Sequence, residues 1–462
     1  MKVDKAQYFP RVGRLASGPR DSLADVAGVT VGHCTLAQGD VQTGVTVIRP
    51  HANDLFMHKV PAAATVLNGF GKSTGLVQVA ELGVLETPIA LTNTFGVGTV
   101  ANAQIRQAIA VNPEIGRQWP TVNPLVFECN DGYLNDIQAM AVTESHYLQA
   151  HQDASAEFAQ GSVGAGRGMS SFAFKGGVGS ASRIVRGSSG SSGSHGSSGS
   201  HGAHGAHGSS SSAQHAEKAA HATSTSPASQ WVVGALVLSN FGRLPNLTIA
   251  GRPFGQAWLA QQGQTEDPAK ADSQKQEQAR AQAPAPAQAQ AQARSAQESA
   301  PEKGSIILVI ATDAPLDARQ LKRLSLRAGA GLARTGSVFG HGSGDIALAF
   351  STAYTVPQDA AAPMPAVAML HETCLDPLFE AAAEACEQAI IHALWHAETV
   401  HGRNGHVRQA LPEAMTDWRE WLDATALDAS SHRVASLDPA THGAKPRDAS
   451  PHTAAPSGTA SR

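Results

Sequence analysis

Apolar and β-branched residues gather in short runs at 44–48, 63–67, 87–92, 124–128, 231–240, 305–311 and 345–351. Few of these runs alternate strictly between apolar and polar, which is the pattern of strands covered on both faces. Two longer stretches repeat at helical spacing instead. After Asp313 as a cap and Pro315 in a first turn, Leu321, Leu324, Ala328 and Leu332 recur up to a stop at Gly336. A second stretch opens at Asp376 and Pro377 and carries Phe379, Ala383, Cys386, Ile390 and Leu394 on one face until Gly402. Sheets lying between helical layers, an α/β or α+β sandwich, are the predicted architecture.

Three segments break this pattern. Residues 187–230 are mostly Ser, Gly and His, residues 261–303 are Gln, Ala and Pro, and residues 429–462 are polar and Ala-rich. Ordering a chain costs roughly 1–2 kcal/mol per residue, and these stretches have too little apolar surface to offset it, so all three are predicted to be disordered. The 462-residue chain has a formal net charge of −4 and therefore no broad basic surface for nucleic acid. Its four cysteines (Cys34, Cys129, Cys374, Cys386) are far apart, without a CxxC pair, which points to reduced thiols. The first twenty residues mix charges with no apolar run, and no stretch offers about 18 uninterrupted apolar residues. A soluble, cytoplasmic protein without a membrane segment is the expectation.

The bond between Gly304 and Ser305 stands where the Gln/Ala/Pro segment meets an apolar strand, Ile306-Ile-Leu-Val-Ile310. A hydroxyl that opens a strand can attack the carbonyl just before it, and glycine at that carbonyl leaves room for the approach. Locally, a strand that merely begins with Gly-Ser fits the same residues. Other signals fail on spacing. Gly71-Lys-Ser73 lacks the first glycine of a phosphate loop, because Val66 stands there, and His371-Glu372 lacks the second histidine of a zinc helix, because Leu375 stands there. His392 and His396 are one turn apart with no third ligand in view, and the His195, His201, His204 and His207 tract reads as a solvated spacer. No metal or other cofactor is expected.

A series of motifs in order carries more information. They are Asp25-Val-Ala-Gly-Val-Thr-Val-Gly-His33, Asn68-Gly-Phe-Gly-Lys-Ser-Thr-Gly75, Glu128-Cys-Asn-Asp-Gly-Tyr-Leu-Asn-Asp136, Gly164-Ala-Gly-Arg-Gly-Met169, Lys175-Gly-Gly-Val-Gly179, Asn240-Phe-Gly242, Gly304-Ser-Ile306, Ala311-Thr-Asp-Ala-Pro315 and Gly342-Ser-Gly-Asp345. With them the chain resembles peptidase family S58, the DmpA-like L-aminopeptidase/D-amino-acid esterase-amidases and β-peptidyl aminopeptidases. The resemblance implies a four-layer αββα sandwich of the N-terminal-nucleophile-hydrolase kind, made as one precursor that cuts itself. The products would be an α chain, 1–304, and a β chain, 305–428, followed by the 429–462 tail, together forming one catalytic domain. It implies Ser305 as nucleophile, Ser343 and Asp345 as its relay, and Asn240 as an oxyanion donor. Many relatives carry Glu at the Asp345 position. Glu128, then Asp131, is the implied partner of a substrate amine, with Asn130 and Tyr133 as further oxyanion candidates. Small peptides, amides or esters are the implied substrates, and a homotetramer of the cleaved pair the implied assembly. Two other readings compete: an acyltransferase of the ornithine acetyltransferase type, which uses threonine, and an uncleaved, non-catalytic scaffold.

Overall fold

The computed structural model describes residues 9–187, 230–261, 303–415 and 418. The body of each segment expected to be disordered lies outside the described residues. Two sheets dominate. The first is built from β1 (Thr30–Gln38), β2 (Val41–Arg49), β4 (Ile89–Asn93) and β5 (Leu125–Cys129), in that order, and only β4 and β5 run parallel. The second places β3 (His58–Gly69), β9 (Gly342–Ser351), β8 (Lys303–Thr312), β7 (Gln230–Asn240) and β6 (Gly177–Arg186) side by side, with short strands pairing along β3. Of its labelled pairs only β8 and β9 are parallel.

The sheets meet face to face. Ile48, Leu91, Leu125 and Phe127 of the first belong to one apolar cluster with Leu236, Leu238, Ile307, Val309, Leu348 and Phe350 of the second. Residues of opposite parity on the first sheet, Val45, Val47, Ala90 and Val126, look outward onto α2 (Val97–Val111) and α3 (Glu144–Gln152), where Val100, Ala103, Tyr147 and Ala150 cover them. Two helices cover the far side of the second sheet, α5 (Ala318–Arg334) and α6 (Asp376–Trp395). A Cβ on Gly179 of β6 would fall 1.9 Å from the carbonyl oxygen of Ala389, so α6 lies with its backbone directly against the sheet. The layers are therefore αββα, as the resemblance implies. Two shorter helices, α1 (Leu76–Leu82) and α4 (Phe254–Gln261), complete the labelled set.

β8 lies inside the second sheet, and every residue from Ser305 to Thr312 is buried. This explains its unbroken apolar run: Ile307, Val309 and Ala311 face the other sheet, and the residues between them face the helices. Each fully buried Ile or Leu contributes roughly 1.5–3 kcal/mol, which holds this strand firmly against both neighbours.

All seven apolar runs are strands, with ends that differ by a few residues. The helix boundaries need correction. Asp317, not Asp313, caps α5: its carboxylate accepts from the Gln320 N–H at 2.7 Å, while the Asp313 carboxylate accepts from the Val232 N–H at 2.8 Å and ties β7 to the end of β8. α6 ends at Trp395 rather than Gly402, and it is buried on nearly all sides rather than on one face. Besides sheet two, it meets α5 and the N-terminal segment: Gln388 holds Pro10 and Val12, and Glu384 accepts from Arg14 and Leu15.

Candidate active site

The end of β8 where Ser305 sits is framed by register. Ser305 is paired with Asn240 on β7 and with Gly344 on β9, and Gly304 is paired with Ser343. The Ser305 hydroxyl donates to the Gly304 carbonyl oxygen at 2.8 Å and accepts from the Gly344 N–H at 3.2 Å. The two glycines are sterically required. A Cβ on Gly304 would lie 2.2 Å from the Asn240 carbonyl oxygen, and one on Gly344 would lie 2.6 Å from the Phe70 carbonyl oxygen.

Ser343 and Asp345 are two residues apart on β9 and hence on one face; the Ser343 hydroxyl donates to the Asp345 carboxylate at 2.5 Å, and both residues are fully buried. The register against β3 shifts between Asp345 and Ile346, a bulge of the kind that re-aims side chains beside active sites. Asn68, paired with Asp345 across it, donates its side-chain amide to the carbonyls of Ser343 (2.5 Å) and Gly340 (2.8 Å). The Asn240 side chain is fixed at both ends. Its oxygen accepts from the Ser170 N–H at 2.8 Å, and its nitrogen donates to the Asn130 carbonyl at 2.9 Å.

Glu128 is buried at the end of β5, where its carboxylate accepts from the Lys72 N–H at 2.8 Å and from the Thr94 hydroxyl. Gly71 lies between it and β9: a Cβ there would be 3.5 Å from the Glu128 Oε1 and 3.8 Å from the Gly344 Cα. Asp131 is completely buried and accepts from the Asn135 amide at 3.0 Å; burial raises its carboxyl pKa to about 6 against the pull of hydrogen bonds from Thr43, Asn135 and Asn93. The Asn130 side chain is exposed and closes a turn by accepting from the Gly132 N–H, so this residue reaches Asn240 through its backbone carbonyl. The ring of Tyr133 is stacked between His406, at 4.5 Å, and the Arg408 guanidinium, at 3.7 Å.

The structure thus brings Ser305, Ser343, Asp345 and Asn240 to adjoining ends of three neighbouring strands, with Glu128 one glycine away. Four participants were not singled out from the sequence. Gly344 supplies a backbone donor, Asn68 anchors Ser343, and Thr94 and the Lys72 N–H fix Glu128. The signal for the first was present in Gly342-Ser-Gly-Asp345, since glycine inside a strand marks close approach of another backbone. Lys175 of the quoted Lys175–Gly179 motif is fully buried and donates to the carbonyls of Gly166 and Gly176, both at 2.8 Å, and desolvation pushes its pKa well below the usual lysine range. His392 donates to the Ser180 carbonyl at 2.6 Å and His396 to that of His392 at 3.0 Å, and no group of three or more metal-ligating side chains occurs among the described residues.

Two facing sheets between helical layers, with a hydroxyl and its small polar companions at one strand's end, define the class of the Ntn hydrolases. A solved structure from Ochrobactrum anthropi, an L-aminopeptidase D-Ala-esterase/amidase described as a variant of the Ntn hydrolase fold, is similar at a TM-score of 0.67 and 29% identity, over 91% of this chain and 97% of that one. A Burkholderia sp. beta-aminopeptidase is similar at a TM-score of 0.66 and 34% identity, over 89% and 97%. The beta-peptidyl aminopeptidase BapA of Sphingosinicella microcystinivorans is 35% identical over 86% of this chain and 87% of its own length. The model of peptidase family S58 matches residues 21–195 and 188–408, and the chain belongs to that family. It is a peptidase of the aminopeptidase and amidase class. No helix among the described residues is long and apolar enough to cross a membrane.

Proposed function

We propose that this chain is a self-processing serine aminopeptidase that cuts itself between Gly304 and Ser305 and then uses Ser305 to release N-terminal residues from small peptides, amides or esters. The observation that carries this reading is the Ser305 hydroxyl, held between the carbonyl oxygen of the peptide it would cut and the Gly344 N–H. In the first reaction the hydroxyl oxygen attacks the Gly304 carbonyl carbon. The Gly304–Ser305 C–N bond breaks, the hydroxyl proton passes to the departing nitrogen, and an ester links Gly304 to the Ser305 oxygen. Water hydrolyses the ester, leaving a Gly304 carboxyl group, a free hydroxyl and a free α-amine on Ser305. The ladders joining β8 to β7 and β9 to β3 keep the new chain that begins at Ser305 bound to the chain that ends at Gly304 after the cut.

The new amine, with an ordinary pKa near 8, is a base one residue's reach from the hydroxyl. It takes the hydroxyl proton as the oxygen attacks a substrate carbonyl, and returns it to the leaving amine; water then releases the acyl group. Ser343, in register with Gly304 and hydrogen-bonded to Asp345, relays the proton between the new amine and the hydroxyl. Asn240 supplies an amide donor for the developing oxyanion. Glu128 pairs with the substrate's ammonium group. Because only Gly71 stands between it and Gly344, the residue of β9 paired with Ser305, the bond attacked lies next to a free amino terminus and not inside a chain.

Ser305→Ala is expected to leave one full-length chain by intact-mass measurement and to abolish hydrolysis of alanine p-nitroanilide. Turnover by the purified, unsplit variant would refute the assignment.

A further inference from the structure

Phe70 follows Gly69, the last residue of β3, which is paired with Gly344. Its N–H donates to the Ser343 carbonyl at 3.3 Å. Its own carbonyl oxygen is 2.6 Å from the point where a Cβ on Gly344 would sit, and that point is 3.1 Å from the Ser305 Oγ. The backbone of Phe70 therefore passes beside the nucleophile. Two residues later the chain reaches Lys72, whose N–H holds Glu128. The segment from Phe70 to Lys72 thus runs from the Gly344 that flanks the attacking hydroxyl to the carboxylate, and on this reading it borders the space that the first residue of a substrate would fill.

The Phe70 ring projects from that segment and is 55% exposed. The Lys72 ammonium, 4.6 Å from its centroid, and the His341 ring, at 6.2 Å, flank it. Lys72 steadies the ring through its π face. Leaving so much aromatic surface in water forgoes roughly 25 cal/mol per Å² of burial, a cost that a passing side chain can recover.

We infer that Phe70 forms the wall of the pocket for the side chain of the substrate's N-terminal residue, and that it gives the enzyme a preference for large apolar residues there. The inference rests on the aminopeptidase reading above. Its test compares phenylalanine p-nitroanilide with glycine p-nitroanilide on the split enzyme. Wild type is expected to favour the former in kcat/KM. Phe70→Ala lowers that preference by about tenfold or more, the range set by removing apolar contacts from a pocket, while Phe70→Leu keeps most of it. Splitting at Ser305, read by intact mass, proceeds in both variants, and Val77→Ala, on exposed α1, leaves the preference unchanged. An equal fall for both substrates, or no change, overturns the pocket. So does an unchanged preference accompanied by a shift in molecular size, which would make the ring an association surface instead. A wild type that splits yet hydrolyses neither anilide defeats the aminopeptidase reading itself, and the pocket with it.

Discussion

Two glycines bracket the Ser305 hydroxyl, and both are fixed by space rather than by turn geometry. Gly304 lies so close to the Asn240 carbonyl that any Cβ displaces β8 from β7 at the point where the hydroxyl must be aimed. Gly304→Ala is therefore expected to slow or stop chain splitting and to cost about 1–3 kcal/mol, the usual penalty of overpacking. Intact mass and a thermal melt measure the two effects. Ser305→Ala, which removes one oxygen and overfills nothing, loses splitting without the fall in melting temperature. The surroundings of Ser305 were readable only in part. Asn240, Ser343 and Asp345 stand in recognisable motifs, but that Gly344 donates to Ser305 follows from the parallel register of β8 and β9. Residues 39 positions apart carry no local sign of such a pairing.

Within the elements, α6 shows how burial changes chemistry. His392 is packed against β6, gives its Nδ1 proton to the Ser180 carbonyl, and has its pKa lowered to about 3 because the charged form would be desolvated. The unfolded chain binds a proton near pH 6.5 and the folded chain does so only near 3, so stability is full above 6.5 and falls as pH drops through that window. The ceiling is about 5 kcal/mol for a shift of this size, and His33 and His151, each lowered to about 4, act in the same direction. His392→Asn keeps an N–H near the Nδ1 position without the titration. Its melting temperature is expected to fall less steeply than wild type between pH 6.5 and 4, by differential scanning calorimetry. The periodicity of α6 suggested one apolar face, but Gln388 and Glu384 are also buried, because the N-terminal segment supplies backbone donors and acceptors to them. Polar side chains that become core through a distant partner look like solvent-facing ones in sequence.

In the molecule as a whole, the Ser/Gly/His segment joins two strands that are already neighbours. Arg186 at the end of β6 is paired with Gln230 at the start of β7, so the chain leaves and re-enters the sheet at one point. That point lies at the far end of β7 from Asn240, about 33 Å away at the rise of an extended strand. Replacing residues 187–229 with Asn-Gly, the turn that suits a two-residue hairpin, is expected to shift the melting temperature by no more than about 3 °C. Hydrolysis of alanine p-nitroanilide is expected to be unchanged. Loss of folding or of activity would show that the segment contributes to the core or the site.

The order of strands and helices, the two-faced burial of the sheets and the residues of the family's motifs were determined by the sequence, because apolar runs, glycines and short polar clusters act over a few neighbouring positions. Tertiary structure decided the rest. It set Gly304 against Asn240 and Gly344 against Ser305, sealed Asp131 away from solvent, and brought the Phe70 carbonyl beside Gly344 and the Lys72 N–H onto Glu128. Each of these depends on which strands lie side by side and in what register, a choice made by the packing of the whole core and not by any one segment.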